Sequence, residues 1–178
     1  MKKPKYMLKP TLMAYLCGAA LTLIACKPHQ PPSPVSSFSH NTYADIKADL
    51  AMLLDLSRRQ NQESAVFQQE ALSAIHSGSS TQINQVIEKM QQQVKRFNQQ
   101  LQSLLLSSTE IDLIRNKMIQ NNQLSLALAQ EGASAKPNSN KIENLQQQLA
   151  TTQTNIQQLI QQAQAQISQN MPTQAAKL

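Results

Sequence analysis

Residues 83–104 read INQVIEKMQQQVKRFNQQLQSL. Their principal apolar side chains, Ile83, Ile87, Met90, Val94, Phe97, Leu101 and Leu104, follow one another by alternating steps of four and three. A stripe with that 3.5-residue period is the seam of a helix packed against other helices, as in a bundle or a coiled coil. Between the stripe positions the sequence is mostly amide, with Gln91-Gln92-Gln93 and Gln99-Gln100, so the opposite face is solvated without charge. At 1.5 Å per residue, the helix from its start near Ser79 to Leu104 is expected to be about 40 Å long.

The pattern recurs downstream and, less regularly, upstream. Ile142, Leu145, Leu149, Thr152, Ile156, Leu159 and Ala163 predict a last helix of the same kind. A first helix from about Thr42 to His76 carries Tyr43, Ile46, Leu50, Leu53, Phe67, Ala71 and Ala74, but Ser57, Gln60 and Ser64 fall on that face in the middle. A third, about Thr109 to Gln130, carries Ile111, Ile114, Met118 and Leu128, with Asn121 and Ser125 on the same stripe. Gly78, Gly132 and Pro137 punctuate the chain between these stretches, where helix pairs turn. Capping-box spacing marks the starts: Thr42 with Asp45, Ser79 with Gln82, Ser107 with Glu110, Asn140 with Glu143. Absent Trp, three glycines and 3% aromatics argue against a sandwich, a barrel or a Gly-rich phosphate loop. The expected fold class is all-α, an antiparallel four-helix bundle or pair of coiled-coil-like hairpins over residues 42–170.

Upstream of the helices the sequence carries an address. Lys2, Lys3, Lys5 and Lys9 precede an apolar run from Thr11 to Ala25. That run is shorter than the roughly 20 residues a spanning helix needs and reads as the core of an export signal. It ends at Leu23-Ile24-Ala25-Cys26. This tetrapeptide resembles the lipobox of the bacterial lipoprotein class: aliphatic, small or aliphatic, small, then Cys. The resemblance covers the first 26 residues and implies that signal peptidase II cuts between Ala25 and Cys26. It further implies that Cys26 carries a diacylglycerol thioether and an acylated amine, with palmitate among its chains, and so anchors the protein to a membrane of the cell envelope. Lys27 at the next position, where enteric lipoproteins retained at the inner membrane carry Asp, implies an outer-membrane destination, on the periplasmic or the surface side. Residues 26–41, with Pro28, Pro31, Pro32 and Pro34, read as a linker, and 171–178 as a disordered tail.

The full chain has 16 Lys+Arg against 10 Asp+Glu, a formal +6 that points to an anionic partner. Removing residues 1–25 takes four lysines and no acids, leaving a net +2, so nucleic acid is not an expected partner. The same cut removes Cys17, and Cys26 is committed to lipid, so disulfides and Cys-based metal or nucleophile sites are not expected. His29, His40 and His76 form no ligand pair, and Met52, Met90, Met118 and Met171 lack a haem-attachment motif. Glu63, Glu70, Glu88 and Glu110 are too dispersed for an acid–base pair. Arg58-Arg59 and Lys95-Arg96 lack the aromatic neighbours that stack on bases. No enzyme, no metal and no cofactor beyond the covalent lipid are expected.

Polar residues on apolar stripes are the informative exception. Ser57, Gln60, Ser64, Asn121 and Ser125 would form one layer that sets register, houses water or opens into a ligand cavity. The leading expectation is a lipid-anchored structural or interaction module with an envelope protein partner or self-association. The alternative is a chaperone-like or small-ligand-binding lipoprotein using an apolar groove between helices. A cavity at Leu53, Phe67, Met118 and the polar layer favours the second; a filled core with one exposed apolar strip favours the first.

Overall fold

A computed structural model describes residues 38–170. The lipobox with Cys26, the linker up to residue 37 and the tail 171–178 lie outside the described residues. Four helices follow in order: α1 Tyr43–Ser77, α2 Ser80–Ser103, α3 Thr109–Ala133 and α4 Ser139–Gln169. Each packs on its neighbours in sequence, α4 closes back on α1, and α1 also touches α3 across the diagonal, which is the expected all-α bundle. None of the described helices is long and apolar enough to cross a membrane.

Gly78 and Ser79 alone join α1 to α2. Gly78 adopts the left-handed conformation, φ 64°, that ends a helix without steric cost only when no Cβ is present, and its N–H bonds Ile75 O at 3.2 Å. Ser79 caps α2 by accepting from the Gln82 N–H at 3.4 Å, as the capping box predicts. Three other start signals differ from expectation. Thr42 is the residue before α1 but makes no side-chain cap bond. The cap of α3 is Ser108, not Ser107, because Glu110 turns away to accept from the Asn41 N–H at 2.9 Å. Helix α4 starts two residues earlier than the Asn140 signal, with Asn138 accepting from the Lys141 N–H at 3.1 Å. Gly132 does not break α3: it is buried inside the helix, which runs on to Ala133.

The buried side chains form two clusters at different heights. Toward the end where α1 and α3 begin, Ile46, Leu50, Leu53 and Leu56 of α1 meet Phe97, Leu101, Ile111, Ile114, Ile160 and Ala163. Toward the Gly78 end, Phe67, Ala71 and Met90 pack with Val86, Val94, Leu126 and Ala129. Fully buried side chains such as Leu101 and Leu149 each contribute about 1.5–3 kcal/mol of apolar burial. In α4, Ile160 takes the buried place expected of Leu159, which packs at the edge of the first cluster. A helix of 3.6 residues per turn drifts relative to a strict 3.5 repeat, and one step of drift exchanges neighbours.

One buried acid ties these elements together. Asp49 is 1% exposed and lies on the α1 stripe between Ile46 and Leu53. Its Oδ2 accepts from the Ser107 N–H at 2.8 Å, the Ser108 N–H at 2.6 Å and the Ser108 Oγ–H at 2.7 Å. A carboxylate there satisfies the amides of the α3 cap residue Ser108 and of Ser107 before it, and faces the positive end of that helix. Residues 39–41, read from the sequence with the linker, join the same end. Ser39 forms an isolated parallel bridge with Ser108, donating its N–H to Ser107 O at 2.6 Å and accepting from the Thr109 N–H at 3.0 Å. His40 Nδ1 lies 3.0 Å from Glu110 Oε1.

Candidate functional site

Between the two apolar clusters the core is not filled. A cavity of about 690 Å³ opens there, lined by all four helices. Its apolar walls include Leu53 and Phe67 of α1, Phe97 of α2, Met118 of α3 and Ile156 and Ile160 of α4. The sequence-expected polar layer is the rest of the wall: Ser57, Gln60, Ser64, Asn121 and Ser125 all line it.

Small polar residues at stripe positions explain why the space exists. Where a bundle places Leu or Ile the helices mesh, and where α1 and α3 place Ser, Gln and Asn the stems are too short or too hydrated to interdigitate. The hydroxyls are satisfied within their own helices. Ser57 Oγ–H donates to Leu53 O at 2.8 Å, Ser64 Oγ–H to Gln60 O at 2.8 Å and Ser125 Oγ–H to Asn121 O at 2.9 Å. Gln60 Nε2 donates to Ser64 Oγ at 3.2 Å. The five residues therefore do not bond to one another across helices, and the layer is a wall instead of an interhelical network. Asn121 Oδ1 is buried with no hydrogen-bond partner, an acceptor that a donor inside the cavity would satisfy.

Helix α4 contributes residues that the sequence reading did not single out: Gln153, Gln157, Gln161 and Gln164. The three spaced by four face one way on successive turns, a pattern masked in the sequence by the glutamines around them. Asn61, Gln68, Gln93 and Asn122 extend the same amide lining on the other three helices, and Asn122 Nδ2 donates across to Asn98 Oδ1 at 2.7 Å. Among the described residues, none that lines the cavity carries a charge.

Charges sit immediately outside. A second hollow of about 440 Å³ between α1 and α2 is lined by Glu63, Glu70, Lys89 and Arg96, with Phe67 and Gln93 shared between the two spaces. Lys89 Nζ reaches Glu70 Oε2 at 2.6 Å and Arg96 Nη2 reaches Glu63 Oε2 at 3.4 Å, so these carboxylates clamp α1 to α2. Arg58 and Arg59 both lean on Asp55. At the far turn Lys141 Nζ lies 2.7 Å from Glu131 Oε2, and the Asn138 N–H donates to Glu131 Oε1 at 2.9 Å. These two bonds, that of Lys141 first, hold the Glu131 carboxyl below its ordinary range, against the opposing effect of desolvation.

The family model described as "Uncharacterised lipoprotein PM1805" matches residues 47–171, and the chain belongs to that family. The match spans α1 from its second turn through α4, so it rests on the bundle and is independent of the lipobox. No curated protein and no solved structure matches the chain.

Proposed function

We propose that this lipoprotein is a non-enzymatic binding module that holds an uncharged ligand in the cavity between its four helices. The observation that carries the reading is a cavity of about 690 Å³ walled by apolar side chains, amides and hydroxyls from every helix, with no ionisable residue among the described residues that line it. Ligand pockets of small molecules commonly measure about 300–1,000 Å³ and combine apolar walls with a few convergent polar groups. Amides neither give nor take protons near neutral pH, so the walls are suited to recognition and not to acid–base chemistry. A charged guest would lose its hydration here without gaining a counter-charge, which selects against it. The other reading, a structural module with a protein partner or self-association, is less well supported because, among the described residues, the exposed large apolar side chains do not form a strip along the helices. Acylation of Cys26 would supply the location, and Lys27 favours the outer membrane.

The test is titration of the lipid-free mature chain with the neutral fluorophore N-phenyl-1-naphthylamine and the anionic 1-anilinonaphthalene-8-sulfonate. Saturable one-to-one binding of the neutral dye is expected, several-fold tighter than the anionic one and unchanged between low and high salt. Ser57→Phe and Ser125→Phe, which place an aromatic ring in the cavity, should weaken the neutral dye at least tenfold. Wild-type affinity in both filled variants, with unchanged helix content, would sink the assignment.

A further inference from the structure

Three of the four large apolar side chains exposed among the described residues lie at one end of the bundle: Phe38 at 49%, Leu105 at 64% and Leu113 at 46%. This is the end at which the chain enters from Cys26. Ser39 is bonded to Ser107 and Thr109, which sets Phe38 beside the α2–α3 connection. Leu105 is held outward there, because Leu106 is buried and Arg115 Nη1 donates to Leu104 O at 3.0 Å. Leu113 follows one turn after Thr109, on the same face of α3.

We infer that this end is seated on the lipid surface that holds the anchor, with Phe38, Leu105 and Leu113 in the interfacial layer. The inference rests on the reading of Cys26 as the acylated residue. Eleven residues lie between Cys26 and Phe38, a length that spans at most about 40 Å fully extended. Helix α1 alone, with 35 residues, is about 52 Å long, so the opposite end at Gly78 comes no nearer to the anchor than about 12 Å, and only with the tether stretched back along the bundle, whereas the Phe38 end meets the surface with the tether relaxed. A tether this short raises the effective concentration of the surface at the Phe38 end into the millimolar range, and three modest apolar contacts then suffice to keep it docked. Charge does not oppose the contact: Glu110 is engaged by His40 and the Asn41 N–H, Asp112 by Arg115, and the first turns of α1 carry Asp45 and exposed Lys47, one charge of each sign.

The chain lacks Trp, so a single reporter can be placed. The mature acylated protein is reconstituted in vesicles of phosphatidylethanolamine and phosphatidylglycerol doped with brominated lipid, carrying Leu105→Trp, Leu113→Trp or, near the opposite end, Leu72→Trp. The expected result is severalfold quenching at 105 and 113 and none at 72. Equal quenching at 72, or none at any position while the protein floats with the vesicles, overturns the docked end. A blue-shifted 105 signal without lipid overturns it in favour of a second copy if it depends on concentration, or of the chain's own 171–178 tail if truncation removes it. Failure of palmitate to label the wild type, or persistence of label in Cys26→Ser, overturns the anchor assignment itself.

Discussion

Replacing Asp49 by Ala tests whether one buried carboxylate closes the bundle. It removes three hydrogen bonds, from the Ser107 and Ser108 amides and the Ser108 hydroxyl, each 2.6–2.8 Å long. Bonds to a charged acceptor contribute about 1.5–3 kcal/mol each, so an additive sum exceeds 4 kcal/mol. Two effects reduce it. The variant no longer buries Asp49 Oδ1, which has no partner, and the freed Ser108 hydroxyl can turn to cap its own helix, a bond it does not make now. The net expectation is a loss of about 3 kcal/mol, or a fall in Tm of roughly 10 °C for a domain of this size. Asp49→Asn keeps a neutral acceptor and should lose about half as much. Thermal melts at 222 nm on the lipid-free mature chain read both, and hydrogen exchange at Ser107 and Ser108 reports whether the loss is local. If Asp49→Ala melts within about 3 °C of wild type, the carboxylate does not clasp α1 to α3 and the reasoning fails.

Two further outcomes follow from the turns. Glu131 has a folded pKa below its ordinary value, so its bonds stabilise fully at neutral pH and are lost as pH falls through the folded value; Glu131→Gln should flatten the acid limb of a stability-versus-pH curve without altering the neutral midpoint by more than a few degrees. Gly78→Ala should cost about 1 kcal/mol from backbone strain alone, since a Cβ there meets nothing within 4 Å, and Gly78→Asn should cost less; an equal loss in both by denaturant titration would contradict the left-handed cap.

The helices were legible because Met90, Phe97, Leu101, Ile111 and Ile114 keep a helical period against a nearly uncharged amide background. The cavity was half legible. Ser57, Gln60, Ser64, Asn121 and Ser125 stand out as polar residues at apolar positions, but periodicity along one helix does not reveal which faces meet. The α4 glutamines of the wall were therefore indistinguishable from those facing water. Asp49 did carry a signal that the stripe reading passed over: the steps Ile46, Asp49, Leu53, Leu56 are three, four and three, making it a lone acid at a buried phase. Its partners, backbone amides of Ser107 and Ser108, have no side-chain signature in sequence. The same long-range contacts moved the α3 cap from Ser107 to Ser108, because a capping box assumes that Glu110 bonds locally.

The contact of Ser39 with Ser107, Ser108 and Thr109 also has a mechanical meaning. Tension arriving along the chain that precedes Ser39 would otherwise lift Tyr43 and peel α1 away turn by turn. With Ser39 pinned, and Asn41 bonded to Glu110, the pull passes into the connection between α2 and α3. The load then falls on hydrogen bonds that must break together, and the helices hang from the middle of the fold rather than from its first turn.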